Sequence, residues 1–282
     1  MNSYVNKLNA FLFFISLFIL GGTFIYLHKI HSEWDFPKNV SLNGQAVDKL
    51  FNSLFVQTVV MFVGFLAILS FFLLKYAAGK NSKASYIEGN NKRTIFFMVG
   101  LGILIVIMLE VTSAVIGSSF WHKLHAPVKG NEILLEVTGQ QFAWTVRYPG
   151  KDKKFGRTNP SLIDDASGNS LGLDFEDPNA KDDIVLSGGE IHVPIHQEIV
   201  AFIRSKDVIH DFFLPNFRLQ MYATPGLDVK VRFVPVENGQ YEVVCAQICG
   251  LGHYKMRGLI TVLSEEDYNK WLEAQEPLSV YF

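Results

Sequence analysis

Three long apolar stretches open the chain, and a different pattern follows them. Ala10 to Leu27 is apolar except for Ser16 and Thr23. Leu54 to Leu74 runs 21 residues without a charge, and Thr94 to Gly117 runs 24 residues with one, Glu110. Each is long enough to span a bilayer core. A helix buried in a soluble domain would keep a polar face, and the second stretch has almost none. The pattern therefore predicts three transmembrane helices at about 10–27, 54–74 and 94–117. The first stretch also fits a cleaved signal peptide, although Lys7 is its only basic flank and it lacks a clear small-x-small cleavage site.

Beyond residue 120 the apolar period changes to two. Glu132 to Val137, Phe142 to Tyr148, Ile191 to Pro194 and Ile199 to Arg204 read as strands, as do Asp228 to Phe233, Gln240 to Val244 and Gly258 to Val262. Pro149-Gly150, Ser187-Gly188-Gly189, Pro225-Gly226 and Asn238-Gly239 punctuate them. Several short strands with such turns predict a β-sandwich or barrel. Lys151 to Asp183 is polar and acidic and reads as a long surface loop; its carboxylates lack the spacing of an EF-hand calcium loop. Ser264, followed by Glu265-Glu266-Asp267, predicts a capped helix reaching about Gln275. The fold class is thus α plus all-β, with a membrane anchor over 1–120 and a soluble domain over 121–282.

Charge adds direction. Lys75 to Arg93 carries five basic residues against Glu88 alone, which places that loop in the cytoplasm and the large C-terminal domain on the outer face. Up to residue 120 there are nine basic and five acidic residues, and sixteen and twenty-two after it, so the parts carry +4 and −6. An acidic outer domain suits a basic partner by electrostatic steering, or is simply a solvated surface. No nucleic-acid partner is expected. Glu110 inside the third span either meets another subunit or a proton site, or reaches headgroups near the interface. Trp121 reads as an interface anchor, with His122 and His125 as polar residues beside it. His192 and His196 read as surface residues.

The chemistry is concentrated in Cys245-Ala246-Gln247-Ile248-Cys249-Gly250-Leu251-Gly252-His253-Tyr254-Lys255-Met256, which holds the only two cysteines. With His210 upstream, two thiolates, two imidazoles and a thioether form a soft donor set that selects copper over magnesium or calcium. A one-copper site needs one thiolate. A second thiolate and the Gln247 carbonyl suffice for two copper ions bridged by both sulfurs. A disulfide between Cys245 and Cys249 remains open at this stage, as does a zinc site of Cys245, Cys249 and His253, for which Met256 would be a poor ligand. Cys245 is expected to end a strand and His210 to end another, so that loops at one end of the sandwich bring them together.

Cys245-x-Gln247-x-Cys249-Gly250-x-x-His253-x-x-Met256, with Asp207-Val208-Ile209-His210 upstream and Pro225-Gly226 between, resembles the binuclear CuA domain of subunit II of the haem-copper oxidases. The membrane stretches and the segment Gly139 to Pro149 fit the same family. The resemblance implies a cupredoxin-like Greek-key β-barrel. It implies copper ligands His210, Cys245, the Gln247 carbonyl, Cys249, His253 and Met256, with electron uptake through an aromatic surface at Phe142 or Trp144. It implies a non-catalytic electron-transfer subunit of an oxidoreductase in the bacterial inner membrane, with its copper domain on the periplasmic face. Partners would be the haem-bearing subunit I and other subunits, cytochrome c or another haem donor, and the lipid bilayer.

Four departures from the family pattern stand out. Gln247 replaces a glutamate that holds magnesium, so magnesium is not expected. Gln220 and Tyr222 replace a lysine and an aspartate before the Pro-Gly. Phe142 stands where the electron-accepting tryptophan is usual, with Trp144 matching the next one. A proton-channel glutamate is missing near Thr94, with Glu88 a turn or two away. Two of these losses, at Gln247 and near Thr94, bear on proton or water handling, and the Gln220 and Tyr222 changes can as well. A terminal oxidase subunit is the leading expectation, with the CuA subunit of a nitric oxide reductase and a membrane copper-delivery protein as alternatives.

Overall fold

The computed structural model describes residues 2–30, 36–76 and 89–278. Helix α1 spans Asn2–Ile30 and α2 spans Leu42–Tyr76. Helix α3, Lys92–Val106, continues through a π-helical turn at Ile107–Val111 into α4, Thr112–Leu124. Asn91 caps α3, its side chain accepting the Arg93 N–H. Leu42–Tyr76 and Lys92–Leu124 are long and apolar enough to cross a membrane, and a shorter apolar run, Phe11–Phe24, lies in α1. Most of the basic loop used for orientation, residues 77–88, lies outside the described residues.

The chain divides into two compact units, 1–36 with 49–118 and 37–48 with 119–282. Residues 37–48 thus group with the β domain rather than with the apolar helices. The cause is specific bonding. Val40 donates to Asn216 O at 2.9 Å and accepts from Val236 N at 2.9 Å. Ser41 Oγ donates to Phe217 O, and Arg218 Nε reaches Asp48 Oδ1 at 2.8 Å.

Ten strands build the β domain: β1 Ile133–Gln140, β2 Ala143–Tyr148, β3 Ile184–Ser187, β4 Glu190–Pro194, β5 Ile199–Ser205, β6 His210–Leu214, β7 Leu219–Ala223, β8 Val229–Phe233, β9 Gly239–Cys245 and β10 Arg257–Leu263. One sheet runs β3-β2-β1-β5-β8 and the other β4-β10-β9-β6-β7, each of five strands. The pairs β1/β5 and β4/β10 are parallel and the rest antiparallel. Alternate residues of both sheets, Leu135, Val137, Trp144, Val146, Ile191, Val193, Ala201, Ile203, Val231, Phe233, Val243, Ile260 and Val262, share one apolar core. Each such burial is worth roughly 1.5–3 kcal/mol for the larger side chains. The domain is the all-β, cupredoxin-like unit expected after apolar helices.

The other face of the first sheet is not solvated. Glu136 on β1 is buried, with Arg147 across the strand pair and Arg204 on β5. Arg147 also binds Asp183 and donates to Gly156 O, both from the long segment after β2. That segment, expected as a surface loop, folds back over the sheet on two 3-10 turns, Pro160–Leu162 and Pro178–Ala180. Buried charge is tolerated here because it is paired and hydrogen-bonded on several sides.

Helix α5, Glu265–Glu273, starts as expected with Ser264 accepting the Asp267 N–H. Its Trp271 stacks on His192 at 4.3 Å and meets Tyr148 at 5.3 Å. His192 is therefore not the surface residue the sequence suggested. Burial, opposed by Glu190, pulls its pKa below the ordinary value. His196 is exposed, at φ +60°.

Candidate metal centre

Strands β6 and β9 pair at Phe212↔Cys245. That register sets Cys245, the last residue of β9, close to His210, the first of β6. The expectation that His210 closes a strand is corrected: it opens one, and Asp207 in the bend at 206–208 supports it. His210 Nε2 lies 2.8 Å from Asp207 Oδ1. An ionised carboxylate only accepts, so Nε2 is the donor in this bond, which leaves Nδ1 as the ring nitrogen available to a metal. Nδ1 is the atom that faces Cys245 Sγ, at 4.0 Å.

The loop after β9 brings in the other donors. Cys245 Sγ lies 3.2 Å from the Gln247 carbonyl and 3.9 Å from Cys249 Sγ. Cys249 Sγ lies 3.7 Å from His253 Nδ1 and 3.8 Å from Met256 Sδ. All six sequence-predicted ligands thus meet at one end of the sandwich. Both cysteines are free. Among the described residues the compact group of metal-ligating side chains is His210, Cys245 and Cys249.

Main-chain bonds hold the loop. Cys245 N donates to Met256 O at 3.1 Å and Ala246 N to Asp211 O at 3.0 Å. Gln141 Nε2 donates to Cys249 O at 2.6 Å, tying the loop to the opposite sheet. Gly250 sits at φ +141°, where a side chain would meet both Gln141 and Phe142. A side chain on Gly252 would lie 2.6 Å from Phe142 Cγ. Phe142 is thus a lid on the loop, 37% exposed. Trp144 is fully buried beneath it, edge-on to His210 with ring centres 5.9 Å apart.

Burial dominates the electrostatics. His210, Met256 and both cysteines are buried, and His253 is half-buried. The Cys249 thiol is pushed up to about 11, by burial first and then by Cys245 beside it. Such a thiol is protonated at neutral pH until a cation displaces the proton. Burial works against ionisation of Asp207 as well. Hydrogen bonds from His210, Gln141 N–H and Val208 N–H outweigh it and hold that carboxyl below its ordinary range. Asp211 is raised by burial, only partly offset by the Gln220 amide that binds it.

The donor set fits copper. Tetrahedral coordination with bonds of about 2.2 Å requires donor separations of roughly 3.6 Å, and those here run from 3.2 to 4.0 Å. Two thiols, two imidazole Nδ1 atoms, a thioether and a carbonyl are soft to intermediate ligands. The side chains that orient them, Asp207 and Gln141, carry no metal signature of their own. Only the three-residue spacing from Asp207 to His210 hints at the first.

The site also has an exposed rim. Leu251 is 98% exposed, Ile248 80% and Tyr254 69%. Tyr222 is exposed on β7, while its neighbour Gln220 binds Asp211.

Residues 133–263 match the family described as cytochrome c oxidase subunit II, periplasmic domain. The alternative cytochrome c oxidase subunit 2 of Bradyrhizobium diazoefficiens is 32% identical over 263 residues, covering 93% of this chain and 91% of that protein. Cytochrome c oxidase subunit 2 of Thermostichus vulcanus is 26% identical over 270 residues, covering 88% and 81%. Among solved structures, the periplasmic domain of subunit II of cytochrome oxidase from Bradyrhizobium japonicum aligns with a TM-score of 0.38 at 26% identity, covering 52% of this chain and 95% of that one.

Proposed function

The chain belongs to the cytochrome c oxidase subunit II family, and from that membership we propose that it is the electron-uptake subunit of a respiratory haem-copper oxidase. The single observation that carries this reading is the convergence of His210, Cys245, the Gln247 carbonyl, Cys249, His253 and Met256 at one end of the barrel. Two copper ions bound there would share the charge of one transferred electron between two metals.

The remaining work falls to the chain. Asp207 orients His210 through its Nε2–H, which leaves Nδ1 to ligate the metal. Bonds from Cys245 N–H to Met256 O, from Ala246 N–H to Asp211 O and from the Gln141 amide to Cys249 O hold the loop, so little has to move when charge changes. The apolar rim of Ile248, Leu251 and Tyr254, with Phe142, excludes water and offers a contact for a haem protein such as cytochrome c. Trp144 has no exposed surface, so it acts behind Phe142 rather than touching a donor. The apolar helices anchor the chain in the inner membrane with the copper domain outside, and the electron passes on to haem in subunit I. Catalysis lies in that partner.

A second reading, the CuA subunit of a nitric oxide reductase, is favoured by the uncharged Gln247 and Gln220 where family members use ionisable groups for proton handling. Purified complex supplied with reduced cytochrome c and either oxygen or nitric oxide separates the two. Metal analysis and the mixed-valence spectrum test the site itself. Two coppers per chain, with the spectrum lost in Cys245→Ser and Cys249→Ser, is the expected result. Zinc, or a spectrum unchanged in either variant, would end the assignment.

A further inference from the structure

The helix from Lys92 to Leu124 is interrupted by one π-helical turn, Ile107–Val111, and that turn carries the helix's only carboxylate. The Glu110 side chain is exposed within the chain and makes no hydrogen bond or ion pair among the described residues. At about 1.5 Å per residue it lies roughly 16 Å below Trp121, near the middle of a bilayer whose outer boundary that tryptophan marks. A carboxyl at that depth is costly unless it finds a partner. Wide turns of this kind recur where a helix does more than span.

The residues around Glu110 say how a partner would fit. With about 100° per residue, Ser113, Ala114 and Gly117 fall on its side of α4, and Val115 and Ser119 on the other. The extra residue of the wide turn rotates α3 by about 100° relative to α4, which brings Gly102 into line with Glu110. A side chain at Gly102 or Gly117 would meet nothing within 4 Å. Among the described residues nothing covers that stripe at Gly102 or Gly117, and small residues let a second helix approach closely. Ser113 Oγ donates to Leu109 O at 2.7 Å, so it serves a carbonyl of the wide turn rather than Glu110.

From this arrangement we infer that Glu110 is a membrane-buried hydrogen-bond acceptor for another subunit. Its occupant is a transmembrane helix of the haem-bearing partner, presenting an N–H or O–H donor at mid-bilayer depth and packed on the stripe of Gly102, Ala114 and Gly117. The inference rests on the reading of the chain as a membrane-anchored subunit of a haem complex.

The test isolates the full chain, affinity-tagged, from its native membranes in mild detergent and measures haem and copper per chain. Glu110→Leu should lower haem per chain at least five-fold, and Gly117→Leu should lower it similarly. Glu110→Gln keeps a carbonyl acceptor and should stay within two-fold of wild type, as should Val115→Leu on the far side. Leucine favours membrane insertion, so equal chain yield after alkaline carbonate washing would show that the loss is one of assembly. Wild-type haem content in both Leu variants would overturn the inference, and so would equal loss in Glu110→Gln and Glu110→Leu. A wild-type chain that holds copper but no haem, or that carbonate releases, would instead overturn the functional reading beneath it.

Discussion

Gly139→Ala adds one carbon at a position outside the copper motif and should disturb the site from behind. Gly139 lies on β1, and a Cβ there would sit 2.9 Å from His210 Cδ2, 3.0 Å from Trp144 Cζ3 and 3.1 Å from His210 Cγ. Both rings are fully buried, so neither can swing into solvent. An ordinary carbon contact is about 3.5–4.0 Å, so the rings must separate by roughly half an ångström. Overpacking of this sort costs about 1–3 kcal/mol. Alanine returns about 0.4–1 kcal/mol by restricting the unfolded chain. The net loss should be about 0–2.6 kcal/mol, or up to roughly 10 °C in melting temperature for a domain of this size. His210 moves with the strain, so copper retention against a competing chelator should fall on the order of ten-fold. Gly252→Ala is the contrast. Its Cβ would press harder, 2.6 and 2.8 Å from Phe142 Cγ and Cε2, but Phe142 is partly exposed and can turn away. That variant should melt within about 1 kcal/mol of wild type. A Gly139→Ala protein with unchanged melting and unchanged copper retention would refute the packing assigned to His210.

Three further outcomes can be checked. Asp207→Ala removes the acceptor of His210 Nε2–H and of the Gln141 N–H, and copper affinity measured by chelator competition should fall about 10–100-fold; an unchanged affinity would mean that His210 is oriented by packing alone. Leu251→Asp alters a 98% exposed side chain, so stability should hold within about 0.5 kcal/mol while stopped-flow oxidation of a haem donor slows; an unchanged rate would place donor contact elsewhere. Glu132 is disfavoured by burial, yet N–H donors from Lys129, Arg232 and Gly130 hold its carboxyl down to about 2 from an ordinary 4.5. A depressed carboxylate contributes stability that is complete above its unfolded value and is lost as pH falls through the folded one. Glu132→Gln should therefore melt below wild type at neutral pH, with the gap closing between pH 4.5 and 2; a gap that persists at pH 2 would contradict this.

The candidate donor cluster was legible because five of its members sit in twelve consecutive residues and that mixture suits soft metals. His210 was found by its motif, but its place at the start of β6 was not. His210-Asp211-Phe212-Phe213-Leu214 is almost wholly buried on both faces, so it shows no alternation to read. Strands β3 and β7 were missed too, being short and closely bounded by turns. Period two alone would set Leu135 and Val137 inward and Glu136 in solvent. The logic failed there because the segment 151–183 folds over that face and delivers Asp183 to Arg147. His192 failed for a similar reason: its cover, Trp271, comes from 79 residues away, beyond the reach of any local pattern.

The same contacts that build the metal site also build the core, and this shapes how ligand variants behave. Cys245, Cys249 and Met256 belong to the apolar cluster that fills the sandwich. Cys249 Sγ packs 3.9 Å from Cys245 Sγ and 3.8 Å from Met256 Sδ. Replacing Cys249 by Ser buries a hydroxyl where a soft sulfur was satisfied by its neighbours, which costs stability before any copper is considered. Met256→Leu conserves volume and polarity, so it should cost under about 1.5 kcal/mol. The methionine is thus the position at which loss of a ligand can be separated from loss of the core.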